Sequence, residues 1–374
     1  MKLLIDENIS FAEEAFSQFG EVELLPGRSI NKNKVQNADV LIVRSITNVN
    51  EELLEGTHVK FVGTATIGTD HVDIEYLNKS GIKFSSAVGC NSDAVAEYAL
   101  TALSKIVFEK NLSFRELSIG IVGTGNIGGR VSKYCSALGM KVLKNDPPLK
   151  RETGGKDFLP LDDLMDADII TMHVPLNMGG EDKTFHLFDK KRMEKIKHGA
   201  IIINTSRGPV IDNTDLQDLS DKKNFTLVLD VWENEPSVNL KLLEKTFIAS
   251  PHIAGYSLEG KVNGTKMIYD ELCDYLNTEK TWSPLLPEVD NPEIKINNHK
   301  SFEDAFYFAT SSIYKIEKEK MRMMEMKDMK TEEIGGYFDS LRKNYDFRRE
   351  FNNFILEVDG KEISRVMKKL RFNI

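Results

Sequence analysis

The feature that most constrains the fold is the stretch "LSIGIVGTGNIGGRV" at 117–131. An apolar, strand-like run is followed by Gly123, Gly125 and Gly128, and then by a helical pattern that ends near Gly139. The three glycines suit a tight turn, a close backbone approach to a ligand, and close packing of helix on strand. Since a helix N-terminus stabilises phosphate, the segment predicts a dinucleotide site, which also takes in Asn126 and Ile127.

The next predicted strand, "KVLKND", supports the same interpretation. It ends in Asp146, eighteen positions after Gly128. A carboxylate there is expected to accept hydrogen bonds from both ribose hydroxyls and to repel a 2′-phosphate, which favours NAD over NADP. The alternative, a glycine-rich turn without a ligand, does not explain the strand before the glycines or the helix after them.

Strand and helix patterns alternate in two series, which predicts two α/β domains with doubly wound parallel sheets. In the first series, the strands are "KLLID", "ADVLIVRS" and "VKFVGTAT", and the helices are "SFAEEAFSQFG", "NEELLEG" and "IEYLNKSG". In the second series, the strands are "LSIGIV", "KVLKND", "ADIITMHV", "GAIIIN", "TLVLD" and "FIAS". A long helix over 93–109, capped by Ser92, joins them, and a helix over about 258–276 returns to the first series.

The C-terminal part differs in character. Residues 301–330 predict one long charged helix with methionines at helical spacing, more typical of packing or a subunit interface than of a cofactor site. "EFNNFILEV" predicts a strand and "KEISRVMKKL" a helix. Because this part is small and charged, we expect it to serve in oligomerisation.

Composition limits the function. The chain has 374 residues, enough for two or three domains, and a net charge of −9. An acidic chain is not expected to bind nucleic acid, and no apolar run predicts a signal peptide or a membrane span. The three cysteines are far apart, so neither a disulfide nor a zinc site is expected. We expect a cytoplasmic protein.

Three polar side chains follow strands of the second series. Arg207 comes after "AIIIN", Glu235 after "TLVLD" and His252 after "FIAS". The carboxyl ends of parallel strands form the edge where such sheets bind ligands. There, a guanidinium can hold a carboxylate, an imidazole can accept a hydroxyl proton, and a carboxylate can orient the imidazole, a set suited to oxidising a hydroxy acid. Each residue alone is more typical of a surface charge or a loop histidine, but the three together favour catalysis.

The motifs "GTGNIG", "NTSRG", "LDVWENEP" and "SPHIAGYS", in this order, resemble those of D-isomer-specific 2-hydroxyacid dehydrogenases over residues 1–285. The resemblance implies a flavodoxin-like substrate domain (1–92 with 257–285) and a Rossmann NAD domain (93–256), with the active site in the cleft between them. It also implies an α+β dimerisation domain (286–374) and a homodimer. It places Arg207, Glu235 and His252 in catalysis. The further cofactor contacts that it implies are Val174, Thr205, Ser206, Arg207, Asp230 and Gly255.

Two loops of the first domain are expected to choose the substrate. "VRSITNVNEELL" and "GTATIGTDHVD" offer hydroxyl and backbone N–H groups that suit a carboxylate or a phosphate. The second loop departs from the "GxGxDNID" of many relatives and is similar to members that oxidise a phosphorylated hydroxy acid. That resemblance implies substrate contacts at Ser45, Thr66 and Tyr256. The alternatives are another substrate such as 3-phosphoglycerate, or an NAD-sensing protein-binding module.

The segment "YDFRREF" carries two adjacent cations, Arg348 and Arg349. One hypothesis is that they reach the substrate phosphate in the partner subunit. The alternative is that both are solvated surface charges.

Overall fold

The computed structural model describes residues 1–296 and 299–374. The chain forms two compact units, which are described separately. The first comprises residues 1–91 and 257–288, and the second comprises residues 92–256 and 289–374. Within the described part of the chain, no helix combines the length and the apolar character needed to cross a membrane. A separate domain for the C-terminal residues stays a prediction.

The first unit is a five-stranded parallel sheet in the order β2-β1-β3-β4-β5, the flavodoxin order. Its strands are β1 (Lys2–Asp6), β2 (Glu21–Leu25), β3 (Val40–Val43), β4 (Phe61–Thr64) and β5 (Lys83–Ser86). Its helices, numbered in chain order over the whole protein, are α1 (Ala12–Phe16), α2 (Lys32–Val35), α3 (Glu51–Leu54), α4 (Ile74–Lys79) and α11 (Leu258–Leu276). Helix α11 buries Ile268, Tyr269 and Leu272 in the core of this unit.

The sequence predicts only the three central strands. The strands β2 and β5 lie at the two edges of the sheet, and all but one of their residues are exposed or half-buried. An edge strand needs no continuous apolar run, so it carries a weaker signal than a strand buried on both faces.

The second unit contains a six-stranded parallel sheet in the order β11-β10-β9-β8-β6-β7. Its strands are β6 (Ser118–Val122), β7 (Lys141–Asn145), β8 (Ile169–Met172), β9 (Ile201–Asn204), β10 (Thr226–Leu229) and β11 (Ile248–Ala249). The helices around it are α5 (Ser92–Glu109), α6 (Asn126–Ala137), α7 (Pro147–Thr153), α8 (Lys190–Lys195), α9 (Asn213–Lys222) and α10 (Leu240–Lys245). Strands β9, β10 and β11 are neighbours, so the loops that follow them meet at one edge.

The prediction that Ser92 caps α5 is wrong. The helix begins at Ser92 itself, and the buried hydroxyl of this residue has no hydrogen-bond partner among the described residues. A side chain within the helix cannot accept from the amides of the first turn as an N-cap does.

The C-terminal residues of this unit pair β12 (Glu293–Ile296) with β13 (Ile355–Val358) in parallel. Their helices are α12 (Phe302–Ile313), α13 (Glu317–Met324), α14 (Thr331–Lys343) and α15 (Lys361–Lys369). The predicted single helix over 301–330 is wrong, since the chain turns at Tyr314, which has extended backbone angles. No proline or glycine marks this turn; the burial of Tyr314 and Ile316 fixes it instead.

The methionines of the C-terminal part serve mainly in packing. Met323 and Met326 are fully buried, in one core with Leu242 and Trp232 from the six-stranded part of the unit, and Phe338 of α14 joins them. This is the packing role that the sequence favours over a cofactor site.

A buried ion cluster joins α5 to the C-terminal residues. Arg371 Nη1 lies 2.7 Å from Glu97 Oε1 and 2.9 Å from Glu350 Oε2. The amide of Phe351 donates to Glu97 Oε2 at 2.9 Å. Burial, and next the charge of Glu350, raise the pKa of Glu97 well above its ordinary value. Buried carboxylates of this kind require a cationic partner, which Arg371 supplies.

Candidate active site

The glycine-rich turn has a separate physical reason for each glycine. Gly123 has a φ of +82°, and a Cβ there would lie 2.7 Å from both His173 O and Val174 Cγ1. A Cβ on Gly128 would lie 1.9 Å from Gly123 O. A Cβ on Gly125 would meet nothing within 4 Å, so the backbone there borders open space. The turn therefore packs tightly on its protein side and leaves room for a pyrophosphate on the other.

Asn126 and Ile127 open helix α6, where the backbone N–H groups of the first turn point out of the helix. Asp146 caps α7: its Oδ1 accepts from Leu149 N at 3.0 Å, and its Oδ2 accepts from Thr124 N at 2.7 Å. A carboxylate has about four acceptor positions, so these bonds leave capacity for a ribose hydroxyl. The contact with ribose stays a prediction.

The loop after β9 is shaped by a buried asparagine. Asn204 Oδ1 accepts from the amide of Ser206 at 3.0 Å, and Asn204 Nδ2 donates to Arg207 O at 3.0 Å. Thr205 Oγ1 lies 3.5 Å from Nδ1 of His173, whose pKa burial lowers to about 3, so this ring stays neutral at physiological pH. The loops after β8 and β9, which carry the predicted cofactor residues Val174 and Thr205, are thus adjacent.

The loop that carries Arg207 packs directly on the loop after β10. A Cβ on Gly208 would lie 2.0 Å from the Trp232 carbonyl carbon and 2.4 Å from Glu233 N, so only glycine fits. The indole Nε1 of Trp232 donates to Ser250 O at 3.0 Å, which ties the β10 loop to the end of β11. Arg207 itself donates from Nη1 to Ser206 O at 2.8 Å.

Glu235 and His252 form a hydrogen-bonded pair. His252 Nδ1 lies 2.8 Å from Glu235 Oε2, and Glu235 Oε1 accepts from the amide of Trp232 at 2.8 Å. With Nδ1 engaged, Nε2 is the nitrogen of His252 left to exchange a proton with a substrate. About a third of the His252 side chain is exposed (34%), so a ligand can reach it.

The electrostatics of the pair favour an ionised Glu235. Burial raises the pKa of Glu235, but the charge of His252 and hydrogen bonds from His252 and the Trp232 amide outweigh it. The cationic Arg342 acts in the same direction, and the net pKa lies below its ordinary 4.5. Glu235 is therefore a carboxylate throughout the physiological pH range.

This lowered pKa predicts a pH-dependent stability difference for Glu235→Gln. The stabilisation from the ionised carboxylate is complete above about pH 4.5, and it is lost as pH falls through the lower folded-state pKa. At pH 7, we expect the variant to lose about 1.5–3 kcal/mol of unfolding free energy, and the difference to shrink toward pH 3. Denaturant unfolding from pH 7 to 3 measures it. Glu152→Gln, at an exposed position, is the control; a pH-independent difference for Glu235→Gln would contradict the prediction.

The backbone at His252 is held in an unusual conformation. Its φ is +58°, in the left-handed region that non-glycine residues seldom adopt. His252 N donates to Asp230 O at 2.7 Å. The Asp230 carboxylate accepts from Ile253 N at 2.8 Å, Ala254 N at 3.0 Å and Ser250 Oγ at 2.5 Å. Asp230 is buried beneath the loop, and its predicted contact with NAD stays a prediction.

In the first unit, the predicted substrate residues follow β3 and β4. Ser45 is exposed and Thr66 is half-buried. Thr66 Oγ1 lies 2.8 Å from Thr64 Oγ1 and donates to Gly68 O at 3.3 Å. The neighbouring Arg44 donates from Nε to the buried carboxylate of Asp6 at 3.1 Å. Since these residues belong to the first unit, their substrate contacts stay predictions.

Tyr256 and Gly255 follow His252 in the second unit. The hydroxyl of Tyr256 accepts from Arg342 Nη2 at 3.3 Å. The guanidinium of Arg348 is buried and donates to backbone carbonyls of its own chain, so the alternative of a solvated surface charge is wrong. Its hypothesised contact with the substrate phosphate in the partner subunit stays a prediction. For Arg349, which donates to Asn353 Oδ1 at 3.0 Å, a role in substrate binding stays a prediction.

Sequence reasoning missed several residues that support the site. The unpredicted ones are Asn204, Gly208, Trp232, Ser250 and Arg342, and for Arg348 the contact with the His252 loop was not predicted. A signal existed for some of them: Asn204 and Gly208 flank the predicted "TSR" segment, and Trp232 lies between two predicted site residues. No local signal placed Arg342 or Arg348 beside this loop, since both lie about 90 residues away from the residues that they contact.

Comparisons with known proteins agree with this geometry. Residues 103–254 match the profile of the D-isomer specific 2-hydroxyacid dehydrogenase NAD-binding domain, and residues 285–370 match a domain of unknown function, DUF3410. The solved D-lactate dehydrogenase from Aquifex aeolicus, complexed with NAD and lactic acid, superimposes with a TM-score of 0.59 at 26% identity, covering 74% of this chain and 96% of that one. An NAD-bound 3-phosphoglycerate dehydrogenase from Entamoeba histolytica, 24% identical, has the same fold, with a TM-score of 0.62 over 74% of this chain and 95% of that one.

Full-length relatives include erythronate-4-phosphate dehydrogenases. That of Enterobacter sp. (strain 638) is 41% identical over 377 aligned residues, covering 100% of this chain and 98% of the relative. That of Escherichia fergusonii is 42% identical with the same coverage. The two-domain α/β fold predicted from the sequence is confirmed, and NAD is the cofactor of this class of protein. The chain therefore belongs to the erythronate-4-phosphate dehydrogenase family, within the D-isomer specific 2-hydroxyacid dehydrogenases.

Proposed function

We propose that the chain oxidises 4-phospho-D-erythronate at C2 with NAD, yielding 2-oxo-3-hydroxy-4-phosphobutanoate, as a cytoplasmic step in pyridoxal 5′-phosphate synthesis. The observation that carries the proposal is the His252–Glu235 pair, which lies at the sheet edge of a dinucleotide-type domain. The full-length similarity to erythronate-4-phosphate dehydrogenases supports the substrate.

The residues of the second unit fit NAD: the space beside Gly125, the N-terminus of α6 and the Asp146 carboxylate match its pyrophosphate and ribose. When bound, NAD supplies the nicotinamide ring that accepts the hydride from C2. His252 Nε2 accepts the proton of the C2 hydroxyl, so that a carbonyl remains at C2. Glu235 holds the ring by Nδ1 and stabilises the resulting imidazolium.

Arg207 is the proposed anchor of the substrate. A guanidinium binds a carboxylate through two parallel hydrogen bonds, and it can also polarise the C2 oxygen. The packing of Gly208 on Trp232 fixes the loop that carries this side chain. Ser45 and Thr66 of the first unit, and Tyr256 of the second, are the remaining proposed substrate contacts.

The direct test is NADH formation followed by absorbance, with 4-phospho-D-erythronate, 3-phosphoglycerate and D-glycerate as substrates and with NAD or NADP. The proposal expects the highest kcat/KM with 4-phospho-D-erythronate and NAD. A higher kcat/KM with 3-phosphoglycerate would show that the protein is a 2-hydroxyacid dehydrogenase with a different substrate. NAD binding without turnover of any of the three acids would favour the NAD-sensing alternative.

We further propose that the protein is a homodimer formed through its C-terminal region. Phe108, Leu112 and Phe308 are large apolar side chains that are 42%, 36% and 41% exposed. Phe108 of α5 stacks on Tyr307 of α12 at 4.4 Å between ring centroids, and Leu112 follows the end of α5, so the three exposed side chains lie on or beside the packed pair of α5 and α12. Exposed apolar patches of this kind mark protein–protein contacts.

Placing a charge on this surface is expected to dissociate the dimer. Phe308→Asp should raise the dimer Kd by about 30-fold or more, because a buried aromatic contact contributes about 2 kcal/mol or more to such interfaces. Sedimentation velocity across a concentration series measures it. The control is Met178→Asp, at an apolar residue that is 65% exposed and lies outside α5 and α12. It should leave the proportions of monomer and dimer unchanged. A wild-type protein that sediments as a monomer would refute the dimer.

A further inference from the structure

We propose that Arg348 is a positioning residue for the reaction: it fixes, through backbone carbonyls, the loop that carries His252. This inference rests on the proposed function of His252 as the proton acceptor. Arg348 touches neither the ring of His252 nor any other proposed catalytic side chain in the hydrogen bonds described, so its effect is exerted through the backbone.

The loop needs such support because His252 has left-handed backbone angles. A non-glycine residue in that region is strained and persists only where its surroundings enforce the conformation. Asp230 restrains the backbone amides of this loop: its carbonyl and both of its carboxylate oxygens accept hydrogen bonds from three successive N–H groups. Those bonds fix the N–H groups of residues 252–254. Of the carbonyls, that of Ile253 accepts from Tyr256 N at 2.8 Å within the loop itself.

Arg348 supplies a second set of restraints. Its Nη1 donates to Ile253 O at 3.2 Å, and its Nη2 donates to Ala254 O. Nη2 also donates to Ala94 O at 2.9 Å, in the first turn of α5. One planar guanidinium therefore ties two successive carbonyls of the loop to a buried helix, a geometry that a lysine ammonium cannot reproduce.

The guanidinium itself is held rigidly. Its Cζ lies 5.1 Å from the ring centroid of Tyr314 and 5.8 Å from that of Tyr98, within the range of cation–π attraction. Tyr98 is fully buried, and its hydroxyl lies 2.6 Å from Ser250 Oγ, which in turn bonds to Asp230. Asp230, which holds the amides of the loop, and Arg348, which holds its carbonyls, are thus connected through one buried network.

A purely structural role, joining the C-terminal residues to the NAD-binding part, is the competing explanation. Arg371 offers a matched comparison, since it performs that role through Glu97 and Glu350 without any described contact to the His252 loop. If Arg348 only joins the two parts, Arg348→Lys and Arg371→Lys should have the same consequences. If Arg348 positions His252, only Arg348→Lys should impair proton transfer.

The test compares the two variants as full-length protein. We expect Arg348→Lys to lower kcat by about 30- to 100-fold with the KM for NAD nearly unchanged, because a misplaced catalytic group costs on that order. The low-field proton resonance of the His252 Nδ1–H bonded to Glu235, assigned by its loss in His252→Asn, should broaden or vanish. Arg371→Lys should lower the melting temperature while keeping both kcat and this resonance.

A wild-type kcat and an intact His252 resonance in Arg348→Lys would overturn the inference, as would the same loss of both in Arg371→Lys. If Arg348→Lys does not fold, Tyr314→Leu decides, since it removes one ring beside the guanidinium and should cause a smaller fall in kcat; an unchanged kcat refutes the idea. If the wild-type protein oxidises none of the acids, the proposed function fails, whereas the resonance still reports separately on whether Arg348 holds the loop.

Discussion

His252→Asn is expected to lower kcat by about 10³- to 10⁴-fold while NAD still binds, since the variant lacks a group able to accept the C2 hydroxyl proton. Asparagine is the appropriate replacement because it tolerates the left-handed backbone angles found here, so the loop is not strained further. Steady-state NADH formation gives kcat, and quenching of tryptophan fluorescence gives the affinity for NAD.

His186→Asn is a matched control for this experiment. His186 also has a positive φ, of +48°, and its Nε2 also lies close to a carboxylate, at 2.7 Å from Glu233 Oε1. His186 has no proposed part in the chemistry. The kcat of the His186→Asn variant should therefore stay within about threefold of the wild-type value, as is usual for substitutions away from a reacting centre. A His252→Asn protein with normal turnover, or equal losses in the two variants, would remove His252 from the mechanism.

Arg207→Lys is expected to lower kcat/KM for the hydroxy acid by about 10³-fold. Lysine keeps the charge but cannot form two parallel hydrogen bonds to a carboxylate, so orientation is lost as well as affinity. Both kcat and the KM for the acid should change, because the same guanidinium is proposed to polarise the C2 oxygen as its charge develops. Initial rates measured over a range of hydroxy-acid concentrations, at saturating NAD, give kcat and the KM for the acid separately.

The control for this substitution is Arg192→Lys. Arg192 lies in the same unit and donates to a backbone carbonyl and to Asp162 at 3.4 Å, with no proposed part in catalysis. Its kinetics should remain those of the wild type. If Arg207→Lys raised only the KM for NAD, Arg207 would belong to the cofactor site alone.

The central strands were predictable because each is a short apolar run buried on both faces of its sheet. The edge strands β2 and β5, and strand β12, lacked that signal, since at least half of the residues in each are exposed or only half-buried. The turn at Tyr314 was also unpredictable, because tertiary burial fixes it and no glycine or proline marks it. A short apolar run in the sequence is thus most predictive for strands that are buried on both faces.

In the candidate site, too, the residues that follow predicted strands could be predicted, whereas contacts between distant segments could not. The sequence predicts Arg207, Glu235 and His252 because each follows a strong strand, and the structure brings Glu235 and His252 into contact. The restraint of the His252 loop by Asp230 and Arg348 depends on where distant segments pack. One chemical rule did give a hint: a cation between aromatic residues, as in "YDFRREF", suits a buried guanidinium as well as an exposed one.

The shared core around Met323 and Met326 has a consequence for any attempt to shorten the protein. The solved relatives cover about three quarters of the chain (74%), which invites a minimal version ending where they end. Such a truncation would uncover Trp232 and Leu242 to water and remove the guanidinium beneath the His252 loop. The final segment is thus part of the core of the dehydrogenase, and a shortened chain would need polar residues on the surface that this segment now covers.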